Sequence, residues 1–157
     1  MAKLTSKIEG LAELDKALVD FADEWGPKKV KPLLNRVLKK EGQPIAAAGE
    51  ALAPKLTGGL AQSYTVGTKL SRRQKKQNKK ESDVEIYIGP TPHPKSVQTE
   101  FGNAHQAAHP HLRPAWDGNV MKVLRGIKDR LTDEIAKTTA RLEKRAAKIA
   151  AKIAAGK

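Results

Sequence analysis

Catalysis needs reactive side chains at fixed spacing, and the densest such cluster in this chain is HQAAHPH, which holds His105, His109 and His111. His105 and His109 are four residues apart, the separation that sets two imidazoles on one helix face as metal ligands. Pro110 and the Pro-, His- and Gly-rich surroundings predict an irregular segment instead, and no Glu completes a metalloprotease pattern. Ser6, Ser63, Ser71, Ser82 and Ser96 lie outside any nucleophile-elbow pattern. Asp129 and Asp133 stand near Arg130 and Lys137 at the spacing of helix-surface ion pairs. Gly58-Gly59 follows Thr57 but lacks the lysine of a phosphate loop. The chain has no cysteine, which removes thiolate nucleophiles, disulfides and Cys-ligated metals. The residues predict a protein that is not an enzyme, with no catalytic group, cofactor or metal.

Charge gives a stronger signal. The 157 residues carry a net charge of +13, and two segments account for all of it. Residues 69–80 (KLSRRQKKQNKK) hold seven basic residues and no acid, and residues 137–157 hold seven basic residues and one acid. The rest of the chain balances. Such segments serve either as solvated surface kept soluble by like charge or as contacts to a polyanion through its phosphates. Neither segment interleaves aromatics, which argues against a base-stacking platform. No apolar run approaches the roughly 18 residues of a membrane span, and the N-terminus lacks the apolar core of a signal peptide. The expectation is a soluble protein made in the cytoplasm, with no membrane partner.

The elements that must position these residues follow from periodicity. Leu11, Leu14, Leu18, Phe21 and Trp25 recur at steps of three and four and predict a helix over 11–25, ended by Gly26-Pro27. A second helical stretch, 27–52, carries Val30, Leu33, Leu34, Val37 and Leu38. It is expected to kink or break near Gly42 and Pro44, and its last part is small-residue helix ending before Pro54. Residues 3–9 could form an edge strand. Strands are expected at 60–69, with Tyr64, Thr65 and Val66, and at 83–89, where Val84, Ile86 and Ile88 alternate. The first basic segment then becomes a long polar hairpin loop, mobile in isolation. Residues 90–112 read as irregular. A helix over 114–153 carries an apolar stripe through Val120, Leu124, Ile127, Leu131, Ile135, Leu142, Ile149 and Ile153. At roughly 60 Å it outruns any single small core. The fold class is therefore α+β, a small antiparallel sheet with a long hairpin loop, flanked by N-terminal helices and a long C-terminal helix.

Three stretches, in order, resemble a known family. They are APKLTGGLAQSYTVG (53–67), DVEIYIGP (83–90) and TEFGNAHQAAHPHLRPAWD (99–117). They are similar to the neck proteins of tailed bacteriophages, also called head–tail joining or tail-completion proteins. The matching positions include Ala53, Pro54, Thr57, Gly58 and Leu60, then Gly89, then Glu100, Phe101 and Gly102, then Pro110, Leu112, Arg113, Pro114 and Ala115. The opening KIEGLAELDKAL resembles the family's start. His111 stands where an aromatic is usual, and Asn103 where Thr is usual. These residues also have direct readings. Gly58-Gly59 allows a positive-φ turn, a Glu100–Arg113 pair ties the turn to the last helix, and Pro114 presets that helix.

The resemblance implies a virion structural protein of the neck. It would be one subunit of a homo-oligomeric ring, of six by analogy, joining the DNA-filled head to the tail around the DNA channel. Residues 1–120 would form the neck-like α+β domain, with 114–157 a basic amphipathic helix extending from it. The partners would be adjacent connector and tail proteins and, without sequence preference, genomic DNA. Lys69, Arg72, Arg73, Lys75, Lys76, Lys79 and Lys80 are the candidate contacts to DNA or an acidic partner. Leu142, Ile149 and Ile153 are the candidate inter-subunit contacts, with Lys144, Lys148 and Lys152 as a separate row on the same helix. The alternatives are a tail terminator capping the tail tube, or a sequence-independent nucleic-acid-binding module.

Overall fold

The computed structural model describes residues 11–55, 58–91 and 93–155. In chain order these form α1 (Leu11–Trp25), α2 (Pro27–Glu41), α3 (Gln43–Leu52), α4 (Gly59–Gln62), β1 (Tyr64–Gly67), α5 (Arg72–Gln77), β2 (Tyr87–Pro90), α6 (Ser96–Phe101) and α7 (Leu112–Ala154). The fold is α+β: a two-stranded antiparallel sheet with helices before it and one long helix after it. The edge strand expected at 3–9 lies outside the described residues.

The chain divides into two compact units, Leu34–Ile127 and a second made of Met1–Leu33 with Lys128–Lys157. In the second unit Leu14 and Phe21, seven residues apart on α1, are buried, as are Leu33 and Leu131. Five acids of α1, Glu13, Asp15, Asp20, Asp23 and Glu24, stay exposed on the rest of that helix. This is the amphipathic pattern that the sequence predicts.

The first unit is built on α3 and the sheet. The break expected near 42–44 falls at Gly42, between α2 and α3, with Pro44 in the first turn of α3. A Cβ at Gly42 would stand 2.9 Å from Ile88 Cδ1 and 3.1 Å from Val66 Cγ1, so the absent side chain lets helix and sheet close up. Gly49 does the same one stretch further on: its Cβ would stand 2.3 Å from Cε1 of Tyr64. Pairing of Val66 with Ile88 and of Tyr64 with Pro90 sets those side chains toward α3. Thr65, Gly67, Tyr87 and Gly89 therefore lie on the opposite face. Ile45, Ala46, Ala53, Leu60, Ala61, Ala115 and Val123 are buried around them.

Four expectations need correction. Residues 60–62 are helix α4 and not strand, because Gly58 takes a left-handed conformation (φ +70°) and turns the chain into a helical turn that buries Leu60 and Ala61. The second strand is confined to Tyr87–Pro90. Upstream, the Glu85 carboxylate accepts the backbone N–H of Glu81 (2.7 Å) and Ser82 (3.2 Å) and the Tyr87 hydroxyl, folding 81–85 into a tight loop. The basic segment is not simply a polar loop: it contains α5. Ser71 caps that helix by accepting the Gln74 N–H, while the Gln74 side chain accepts the Ser71 N–H, a reciprocal capping box. Finally, the stretch 90–112 contains α6.

The long helix starts at Leu112, two residues before Pro114, which therefore sits in the first turn, where N–H groups have no partner within the helix. Its 43 residues span about 65 Å. Burial fades along it, from Ala115, Val123 and Leu131, through half-buried Leu142, to Ile149 and Ile153, which are 57% and 74% exposed. Among the described residues, no helix is long and apolar enough to cross a membrane.

Candidate functional site

All the polar groups that organise this site belong to the Leu34–Ile127 unit. Gly102 has φ +75° and ψ 178°, backbone that essentially only glycine adopts, and it ends α6. The chain then loops back, held by a bridge between Asn103 and Gln106, until the His109 N–H reaches the Thr99 carbonyl at 2.8 Å. That return brings the start of α7 over Glu100. One Glu100 oxygen accepts the N–H groups of His111 and Leu112, both at 2.9 Å, and the other accepts that of Arg113 at 3.0 Å. A single carboxylate thus satisfies three of the orphan donors at a helix N-terminus, where the helix dipole favours negative charge.

The expected Glu100–Arg113 tie therefore exists in another form. Glu100 holds the Arg113 backbone, while the Arg113 guanidinium lies over the Phe101 ring, 5.9 Å from its centroid.

His111 is the centre of this joint and 1% exposed. Its Nδ1 is hydrogen-bonded to the Tyr64 hydroxyl and lies 3.6 Å from Glu100 Oε2, while Nε2 has no protein partner. The Tyr64 ring meets the imidazole edge-on. Burial pushes the Tyr64 hydroxyl up to about 12, with the Glu100 charge adding to it. Burial lowers His111 against the opposing pull of Glu100. For Glu100, burial acts upward, but the three amides and the charge of His111 hold the carboxyl below its ordinary value. This arrangement orients and locks. Both carboxylate oxygens are committed to amides, and the imidazole is closed off from solvent.

Beside the joint, a groove of about 520 Å³ opens over the sheet face that α3 leaves bare. Thr65, Gly67, Tyr87 and Gly89 form its floor, α6 and the start of α7 one wall, and Lys69, Leu70, Ser71 and Gln74 the other. Val97, Phe101 and Trp116 stand on the first wall 66%, 65% and 47% exposed.

The other sequence-predicted residues are placed as follows. Lys69 lines the groove. Arg72, Arg73, Lys75 and Lys76 are on α5 and Lys79 and Lys80 just beyond it, all exposed. Lys75 and Lys80 line a second cleft of about 350 Å³ together with Asp83 and Glu85. Gly58 precedes α4, Pro54 is exposed after α3, and Thr57 lies outside the described residues. Glu100, Phe101, Gly102, Arg113 and Pro114 converge on the joint. His105 and His109 are exposed in the returning loop, and among the described residues no cluster of His, Asp and Glu could hold a metal ion.

Sequence reasoning missed the Tyr64–His111 contact, the exposed Val97 and Trp116, and α5. Only the last had a local signal, the Ser71-x-x-Gln74 capping signature. No protein-family model, curated protein or solved structure matches this chain.

Proposed function

We propose that this protein is a virion structural protein and not an enzyme: a subunit of the homo-oligomeric ring, six-fold by analogy, that joins the DNA-filled head of a tailed bacteriophage to its tail. The observation that carries the reading is the joint. The positions that resemble the neck family, Glu100, Phe101, Gly102, Arg113 and Pro114, are the ones that lock α6 to the start of α7. Residues spent on rigid backbone geometry suit a protein that assembles. The exposed bases of α5 and of residues 79–80 would meet channel DNA through phosphates, weakly and without sequence preference, or an acidic face of the next ring. The exposed end of α7, with Ile149 and Ile153, would pack on a neighbouring subunit.

A sequence-independent nucleic-acid-binding module is the second reading, favoured by the exposure of α5. Native mass spectrometry of the purified protein, with and without duplex DNA, separates the two. A stable closed ring without DNA is the expected result. A monomer that binds DNA with an affinity falling steeply with salt would replace the neck reading with the module.

A further inference from the structure

The groove beside the joint has a composition that neither DNA passage nor helix packing explains. We propose that it is a docking site for a peptide segment of a partner protein, extended in conformation, in which acidic residues alternate with large apolar ones. This inference does not depend on the ring reading.

The apolar half of the argument is the wall. Val97, Phe101 and Trp116 are large, close together along one side and about half or more exposed, which costs solvation free energy unless something covers them. The groove's volume, about 520 Å³, lies within the roughly 300–1,000 Å³ of sites that enclose ligands. The floor decides the shape of the occupant. Thr65, Gly67, Tyr87 and Gly89 share that face, Gly67 leaves backbone open there, and two strands of four residues offer a run of about 13 Å to an extended segment.

The acidic half is charge. Lys69 and Arg113 line the groove, and Arg72, Arg73, Lys75 and Lys76 lie on the adjoining α5. Among the described residues the one carboxylate in the lining is Glu100, whose two oxygens already hold three backbone N–H groups. An acidic segment therefore meets a net positive charge, from Lys69 and Arg113 in the lining and the bases of the adjoining α5. The same charge rejects the Lys- and Arg-rich end of α7 from a second copy. Single-stranded nucleic acid fits less well, because Arg113 already covers one face of the Phe101 ring.

The test is a titration of the isotope-labelled full chain, followed by NMR, with three probes. These are a short synthetic peptide in which Asp alternates with Phe and Leu, the same peptide with Lys for every Asp, and oligothymidylate. The acidic peptide is expected to shift the signals of Lys69, Val97, Phe101 and the Trp116 indole, with affinity that weakens as salt rises. Phe101→Asp and, separately, Val97→Asp are each expected to weaken that binding about tenfold or more. Val97→Asp is expected to leave the melting curve unchanged, since Val97 takes no part in the Arg113 stack to which Phe101 belongs. Lys69→Glu is expected to weaken binding of the acidic peptide only. No binding at millimolar peptide, equal binding of the Lys version, or displacement by oligothymidylate at the same signals would overturn the proposal. So would dilution of the free protein shifting those signals, since the occupant would then be a second copy.

Discussion

The joint that Glu100 of α6 makes with the start of α7 and the far end of that long helix are built on opposite principles. At its start, three amides, one carboxylate, one imidazole and one phenol are fixed by contacts reaching back as far as Tyr64. At its end, Ile149 and Ile153 stand in solvent among Lys and Arg, and the helix is held by its own i to i−4 bonds. The first region is specified by tertiary structure, so single substitutions there damage the fold. The second is specified by local propensity, so substitutions there touch only what the helix meets.

The sharpest way to break this contrast is Glu100→Ala. It leaves the N–H groups of His111, Leu112 and Arg113 without their acceptor, and a loss of about 2–3 kcal/mol is expected in urea unfolding. Glu100→Gln, which keeps the shape and loses the charge, is expected to recover part of it. Next comes Gly49→Ala. Its Cβ would stand 2.3 Å from the Tyr64 ring, and such overpacking costs about 1–3 kcal/mol. The Tyr64–His111 contact should loosen with it, seen as a fall of the Tyr64 hydroxyl from about 12 toward 10 in ultraviolet titration.

Acid gives a third, smaller effect. His111 is held neutral in the fold, so as pH falls below 6.5 the unfolded chain takes up a proton first. Stability is complete above that value and declines as pH drops toward the lowered folded pKa. Glu100, whose carboxyl is held low, adds a further loss below 4.5. His111→Phe is expected to abolish the upper part of this decline and leave the lower part. The smallest effect is expected from deleting residues 140–157. The melting midpoint should barely move, a change below about 1 kcal/mol, while mass spectrometry should show loss of assembly. A large stability loss on this deletion would erase the difference between the two regions.

The same contrast explains what was legible in the sequence. Helices α1 and α7 and the break at Gly42 follow from apolar periodicity and from Gly and Pro, which are local signals. The α5 helix was also local, but its run of Arg and Lys obscured the Ser71–Gln74 signature. The strands are shorter than the alternation of Val84, Ile86 and Ile88 suggests, because the Glu85 carboxylate holds the backbone N–H groups of Glu81 and Ser82 in a loop. Glu100 and Arg113 were legible as neighbours, yet no pattern of side chains reveals that the bond goes to a backbone amide. The Tyr64–His111 contact joins positions 47 apart, and nothing local announces it. In a cluster of three histidines the sequence cannot tell that His105 and His109 are surface and His111 is core.

The missing side chain at position 49 has a consequence for inheritance. Helix α3 approaches strand β1 closely where Gly49 makes room for the Tyr64 ring. The two positions therefore cannot drift independently. Among descendants of this chain, a methyl group gained at 49 should travel with a smaller residue at 64. Loss of the phenol at 64 should travel in turn with an apolar replacement for His111. Linked change across 49, 64 and 111 would be the trace by which remote kin of this fold are recognised after the motif around Glu100 has eroded.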